Sequence, residues 1–324
     1  MDSTTATGWA VAVLVVVVFN VAVYWANENS FLFRLCGKCC RLPSSFHATR
    51  TASGQRSLPR PEAYWAWDAL SPSDVVTSAW VPTPVLLVWR WGLLAYAIIT
   101  LVVEGSVDKD YNSEWLIYFT HWALLGMAVQ GMVGGIVTAI YVRKKPEDIL
   151  WNFGIKAMLL LDQTIPTCSL FLAVFYWSVL YSGNNDAANV MKHGISAAAM
   201  MCTFLLSQTP YVSYHFQAPV LLVTVYCVFM WIYAAATDSW SYEALNTSAE
   251  LSGVYYIVVP TLLLLCFYAW FLLAMLRDFV IFKMCKVEAY HSLEPTAVAG
   301  AVITSAPAPA AADKGKDEEQ GEGS

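Results

Sequence analysis

The sequence predicts an all-α, polytopic membrane protein: a helix bundle of seven spans, the first an N-terminal transmembrane anchor. Three observations predict it. Hydrophobic residues make up 58% of the 324-residue chain and charged residues 13%, against roughly 45–50% and about 25% in soluble domains. Mean hydropathy is +0.52. Seven apolar stretches are long enough to cross a bilayer core about 30 Å thick, which takes roughly 20 helical residues. The same balance excludes an ordinary soluble enzyme and a disordered chain. It also excludes a nucleic-acid binder: 18 Lys and Arg against 24 Asp and Glu give a net charge of −6, with no basic excess to neutralise phosphates.

The expected spans are 8–26, 82–104, 115–141, 157–182, 191–210, 217–236 and 254–282. They divide the chain into an anchor (1–27), a cytosolic or interfacial loop (28–81), a six-helix membrane core (82–285) and a disordered acidic tail (286–324). The first span reads as a retained anchor, because Met1-Asp2-Ser3-Thr4 lacks the positive n-region of a cleaved signal peptide and the apolar run is long. The loop carries Tyr64, Trp65, Trp67 and Trp80, amphipathic rings that favour the membrane surface. The tail is rich in Ala and Pro, then acidic, and buries too little apolar surface to fold.

Lys and Arg placement sets the orientation. Arg34, Lys38, Arg41, Arg50, Arg56 and Arg60 follow the first span, Arg143, Lys144 and Lys145 the third, and Arg277, Lys283 and Lys286 close the seventh. The opposite loops carry Asp108, Asp110, Glu114, Asp186, Asp238, Glu243 and Glu250. The expectation is an integral membrane protein of the plasma membrane or endoplasmic reticulum, its N-terminus outside or lumenal and its C-terminus cytosolic. Cys36, Cys39 and Cys40 then lie beside the membrane among basic residues, where S-palmitoylation or free thiols both fit. A zinc site there lacks a second ligand pair, so no metal is expected. Asn246-Thr247-Ser248 is a glycosylation sequon in an outer loop.

Ionisable groups inside spans are costly and therefore mark function or structural ties. Arg90 on the second span and Asp162 on the fourth share a depth and carry opposite charge, which suggests a structural ion pair. Pro166 frees a carbonyl in the fourth span, and Gln163, Thr164 and Thr167 are the groups expected to satisfy it. Near the outer surface, Thr120 lies about five residues into the third span and Ser196 about five into the fifth. His193 sits one turn from Ser196 on the same face, and His121 neighbours Thr120. Tyr176, Trp177 and Tyr181 reach the same level from the fourth span. An apolar cavity with a few convergent polar groups suits a lipid-like ligand. Interhelical hydrogen bonding by Ser, Thr and His explains the same residues without one.

At these residues the chain resembles a known family. Tyr118-Phe119-Thr120-His121-Trp122 after Glu114-Trp115, Asp162 with Pro166, Phe175-Tyr176-Trp177 with Leu180-Tyr181, His193-Gly194-Ile195-Ser196, and Pro219 with Tyr226 resemble, in order and spacing, the rolling-stone proteins and their relatives, the androgen-induced membrane hydrolases. The resemblance covers about 82–285, and it implies a six-helix core with both ends cytosolic. The hydrolase branch implies an intramembrane threonine hydrolase acting on esters of fatty acids with hydroxy fatty acids, with Thr120 at the nucleophile position. Its catalytic His falls at Ser196 here, and only the first His of that motif, His193, is kept. Rolling-stone proteins, linked to cell fusion, usually carry Asn at that place.

Two principal readings follow. One is a non-catalytic rolling-stone-type membrane protein acting in lipid binding or in cell-surface and fusion processes, with membrane lipids as partners and no cofactor. The other is a lipid esterase in which Thr120 is the nucleophile and His193 or His121 the base, since a Thr hydroxyl needs a base within about 2.6–3.2 Å. A bis-histidine haem site on His121 and His193 is a weaker reading. A seven-helix receptor lacks its motifs: Tyr141-Val142-Arg143 stands where Asp-Arg-Tyr is expected.

Overall fold

The computed structural model describes residues 70–107, 115–145, 148–181, 183, 187–242, 245, 246, 249 and 252–285. The anchor at 8–26, the loop with Cys36, Cys39 and Cys40, and the tail from 286 onward lie outside the described residues. Among the described residues every regular element is helical. Among the described residues, five helices are long and apolar enough to cross a membrane: Thr83–Ser106, Phe119–Tyr141, Phe153–Leu180, Gln217–Thr237 and Gly253–Ile281. The protein is thus an apolar helical bundle of membrane type.

The chain enters through α1 (Pro72–Val76), with Pro72 at its first turn. Val75 and Val76 are fully buried against Val137, Ile155 and Met158. Helix α2 (Thr83–Val107) buries Leu86, Arg90, Leu93, Ala97, Thr100 and Glu104. That alternating four-and-three spacing is one helix stripe. Its opposite face, including Val85, Val88, Ile99 and Val102, is exposed and apolar, as a lipid-facing surface requires.

Helix α3 (Phe119–Tyr141) packs closely on α2. A Cβ on Gly131 would stand 2.7 Å from Leu94 N and 2.9 Å from Arg90 O, so the two backbones touch there. Helix α4 (Phe153–Phe175) is capped by Asn152, whose side chain accepts from Ile155 N at 3.1 Å. It is the central helix, packed against α3 and all the helices that follow. The carbonyl that Pro166 frees, that of Asp162, accepts from the Tyr211 hydroxyl at 2.9 Å. The donor therefore comes from across the bundle rather than from Gln163, Thr164 or Thr167. Gln163 instead donates to Pro210 O at 2.8 Å and pairs with His215 Nδ1 at 3.1 Å.

Past Phe175 the helix widens into a π-turn, Tyr176–Leu180. The expected fifth span is a helical run from 187 to 206. It starts as Ala187–Asn189, widens to a π-segment at Val190–Ile195 and finishes as α5 (Ser196–Leu206). Residues 207–210, expected inside that span, are not helical. Helix α6 (Gln217–Thr237) ends at Asp238, in the left-handed region with φ of 55°. Helix α7 (Ser252–Cys285) closes the bundle.

Two polar levels cross this core. At one, Asp162 accepts from Gln130 at 2.8 Å and from Thr209 at 2.6 Å, and Arg90 Nη2 lies 3.9 Å from its Oδ2. Arg90 donates to Val75 O at 2.7 Å and also to Thr138, while Arg277 donates to Ser207 O at 2.8 Å and Thr209 O at 3.1 Å. The buried guanidinium of Arg277 thereby ties the irregular chain at 207–209 to α7. The second level holds the candidate site.

Candidate functional site

Thr120 owes its position to a break in the chain. A 3-10 turn, Trp115–Ile117, precedes an extended Tyr118, and α3 begins at Phe119. Thr120 is therefore the second residue of a helix, and not one that lies five residues inside a span. It is buried, at 7% exposure. Its hydroxyl bonds Tyr242, from the segment between α6 and α7, and backbone N–H groups of Phe119 and Thr120 also donate to that phenol oxygen. The start of α3, with its unpaired N–H groups, is thus covered by a phenol. Burial pushes the Tyr242 phenol up to about 12, and those hydrogen bonds pull it back.

His193 reaches the same place from the other side. The two π-segments face each other, and their widened turns lay the His193 ring flat on Tyr176, with centroids 3.8 Å apart and planes 6° apart. Thr120, His193, Tyr176 and Tyr242 line one cavity with Phe119, Phe171, Phe175, Val223, Tyr226 and Leu245. The cavity volume is about 50 Å³, where a single water needs roughly 10–15 Å³. The Tyr226 hydroxyl is spent on Ile117 O at 2.6 Å. His193 Nδ1 is buried and has no hydrogen-bond partner among the described residues.

The other sequence-predicted residues lie around the cavity, not in its wall. Ser196 accepts from or donates to Tyr96 at 3.2 Å and donates to Met191 O at 3.1 Å, which ties the π-segment to α2. Trp177 and Tyr181 are more than a third exposed and lean on Tyr176 from outside. His121 turns away from Thr120: its Nε2 is 2.7 Å from Glu104 Oε2, and its ring stacks on Trp115. Glu104 Oε1 is 2.5 Å from Lys192 Nζ. Glu104, His121 and the partly exposed Lys192 thus form a polar group that joins α2, α3 and the 187–206 run. Asn246 is described, while the rest of its sequon lies outside the described residues.

Sequence reasoning missed Glu104, Lys192 and Tyr242. Glu104 had a signal: it stands two heptads from Arg90, on the same buried stripe of α2. Tyr242 had none, because its place depends on a turn of irregular chain.

Chemically, the cavity is apolar with a cluster of hydroxyl and imidazole groups on one wall. No hydrogen bond joins Thr120 to either imidazole among the described residues, so the Thr hydroxyl is not in contact with a base. Nor do three His, Cys, Asp or Glu side chains converge as metal ligands among these residues. Compared with known proteins, the chain matches no family model, no curated protein and no solved structure.

Proposed function

We propose that this is a rolling-stone-type multi-pass membrane protein whose role is to bind lipid, without catalysis, in the cavity between α3, α4, α6 and the 187–206 run. The resemblance over 82–285 supports the family. The apolar stretch at 8–26 and the helical run 187–206 complete seven spans. The distribution of Lys and Arg puts the N-terminus outside or lumenal and the C-terminus in the cytosol. The observation that carries the lipid reading is the cavity itself: an aromatic and aliphatic pocket with Thr120, His193 and Tyr242 on its wall. Against catalysis stands the bonding of Thr120 to Tyr242 instead of a base, and Ser196 at the family's catalytic His position.

A second reading, an intramembrane lipid esterase, is favoured by one observation: Thr120 and His193 line the same cavity. Catalytic hydrogen bonds can tighten only with substrate. The two readings separate in one experiment. Wild type and Thr120→Ala are expressed in membranes and treated with a fluorophosphonate probe, with a family hydrolase labelled in parallel. The lipid-binding reading expects no band near 36 kDa. A wild-type band that the substitution abolishes would establish an activated Thr120 and replace the reading with the esterase.

A further inference from the structure

We infer that the cavity selects a single-chain lipid whose polar part is uncharged, a hydroxyl or ester head such as a monoacylglycerol or fatty alcohol, and rejects anionic lipids. The inference rests on the lipid-binding reading and adds the class of ligand.

The argument is one of charge and hydrogen-bonding capacity. Among the described residues, no Lys, Arg, Asp or Glu lines the cavity. The cation nearest in the chain, Lys192, is bound at 2.5 Å to Glu104, and His121 takes the other oxygen of the same carboxylate at 2.7 Å. Lys192 is thereby paired, and among the described residues no free positive group lines the cavity. A carboxylate, sulfonate or phosphate moved into this space would lose its hydration and meet no counter-charge, which is a cost of several kcal/mol for an ion. A neutral head loses far less.

The wall nevertheless asks for one polar partner. His193 is 6% exposed, lines the cavity and has an Nδ1 without a hydrogen-bond partner among the described residues. Thr120 and Tyr242 hydroxyls stand on the same wall, already bonded to each other. A ligand hydroxyl can donate to an unprotonated Nδ1, and an ester carbonyl can accept from a protonated one. Either pairing satisfies a buried group that is otherwise costly to leave alone. The cavity fits a small head, and the aromatic wall of Phe171 and Phe175 continues it with apolar surface for the start of a chain.

The test uses the full-length protein in membranes with two photoreactive, clickable probes of equal chain length. One is a monoacylglycerol, the other an alkyl sulfonate, anionic at every pH. The expected result is crosslinking to wild type by the monoacylglycerol at least about fivefold above the sulfonate. In His193→Phe the monoacylglycerol signal falls about fivefold to tenfold, the worth of one buried hydrogen bond. The wild-type ratio is read within one folded protein, so it stands even if that variant misfolds. Equal or stronger labelling by the sulfonate would overturn the selectivity and leave lipid binding intact. Labelling by neither probe above a helical membrane protein of matched expression would overturn both.

Discussion

Replacing Arg90 by Met removes the tie that holds the Asp162 level together, and its cost can be worked from the contacts. The guanidinium is 1% exposed, donates to Val75 O at 2.7 Å and to Thr138, and faces Asp162 at 3.9 Å. Methionine fills the space of the stem but leaves the Val75 carbonyl without this donor. Asp162 keeps Gln130 and Thr209, with Arg277 as the remaining cation whose charge reaches it. Breaking a buried ion pair from one side costs about 3–5 kcal/mol, and an orphaned carbonyl about 1–3 kcal/mol. The long charge separation puts the first figure at its low end, so the expected total is about 4 kcal/mol. Asp162→Asn is nearly isosteric and strands Arg90 instead. The double variant removes both charges and is expected to be about 1–2 kcal/mol more stable than the two single losses added together. Reversible unfolding in mixed micelles, followed by circular dichroism, measures all three. An Arg90→Met protein within about 0.5 kcal/mol of wild type, or a strictly additive double variant, would refute the reasoning.

Other outcomes follow from the same geometry. Gly131→Val should cost about 2–3 kcal/mol in the same assay, because its Cβ meets the α2 backbone at 2.7 and 2.9 Å, whereas Gly92→Ala, with nothing within 4 Å, should stay within about 0.5 kcal/mol. Glu104→Gln strands the partly exposed Lys192 and should destabilise by about 1–3 kcal/mol, with recovery when Lys192→Met is added. The Tyr242 phenol ionises near 12 in the folded chain, above its ordinary value near 10, so its stabilising effect is whole below pH 10 and is lost as pH rises through 12. Tyr242→Phe should therefore lose less stability than wild type between pH 10 and 12, read as the shift in alkaline unfolding midpoint. Equal shifts in the two proteins would remove Tyr242 as the cause.

Much of the helical layout was legible because length and apolarity decide it locally. The expected 82–104, 217–236 and 254–282 lie within a few residues of α2, α6 and α7. The site was only partly legible, since it is made by departures from regular helix. The 3-10 turn before Phe119 moves Thr120 to a helix start, and the π-segments at 176–180 and 190–195 swing Tyr176 and His193 into one stack. Hydropathy carries no mark of such turns. Arg90 and Asp162 stood out by charge inside spans, and they lie 3.9 Å apart. Glu104 escaped notice because it falls at the end of an apolar run, where a charge is ordinary. The donor to the Asp162 carbonyl, Tyr211, lies 49 residues away in irregular chain, where no local rule points to it.

The central claim is that lipid occupies the cavity of Thr120 and His193. The most direct measurement is to map where a photoreactive lipid attaches to the purified protein, by digestion and mass spectrometry of the crosslinked peptides. Attachment is expected at the cavity wall, on the segments that carry Phe119 and Thr120, Phe171 to Tyr176, and His193. Attachment should fall when Phe175 is replaced by Trp to fill the space. Crosslinks spread evenly over the exposed apolar faces of α2 and α7, unchanged by that substitution, would mean ordinary annular lipid and would contradict the account.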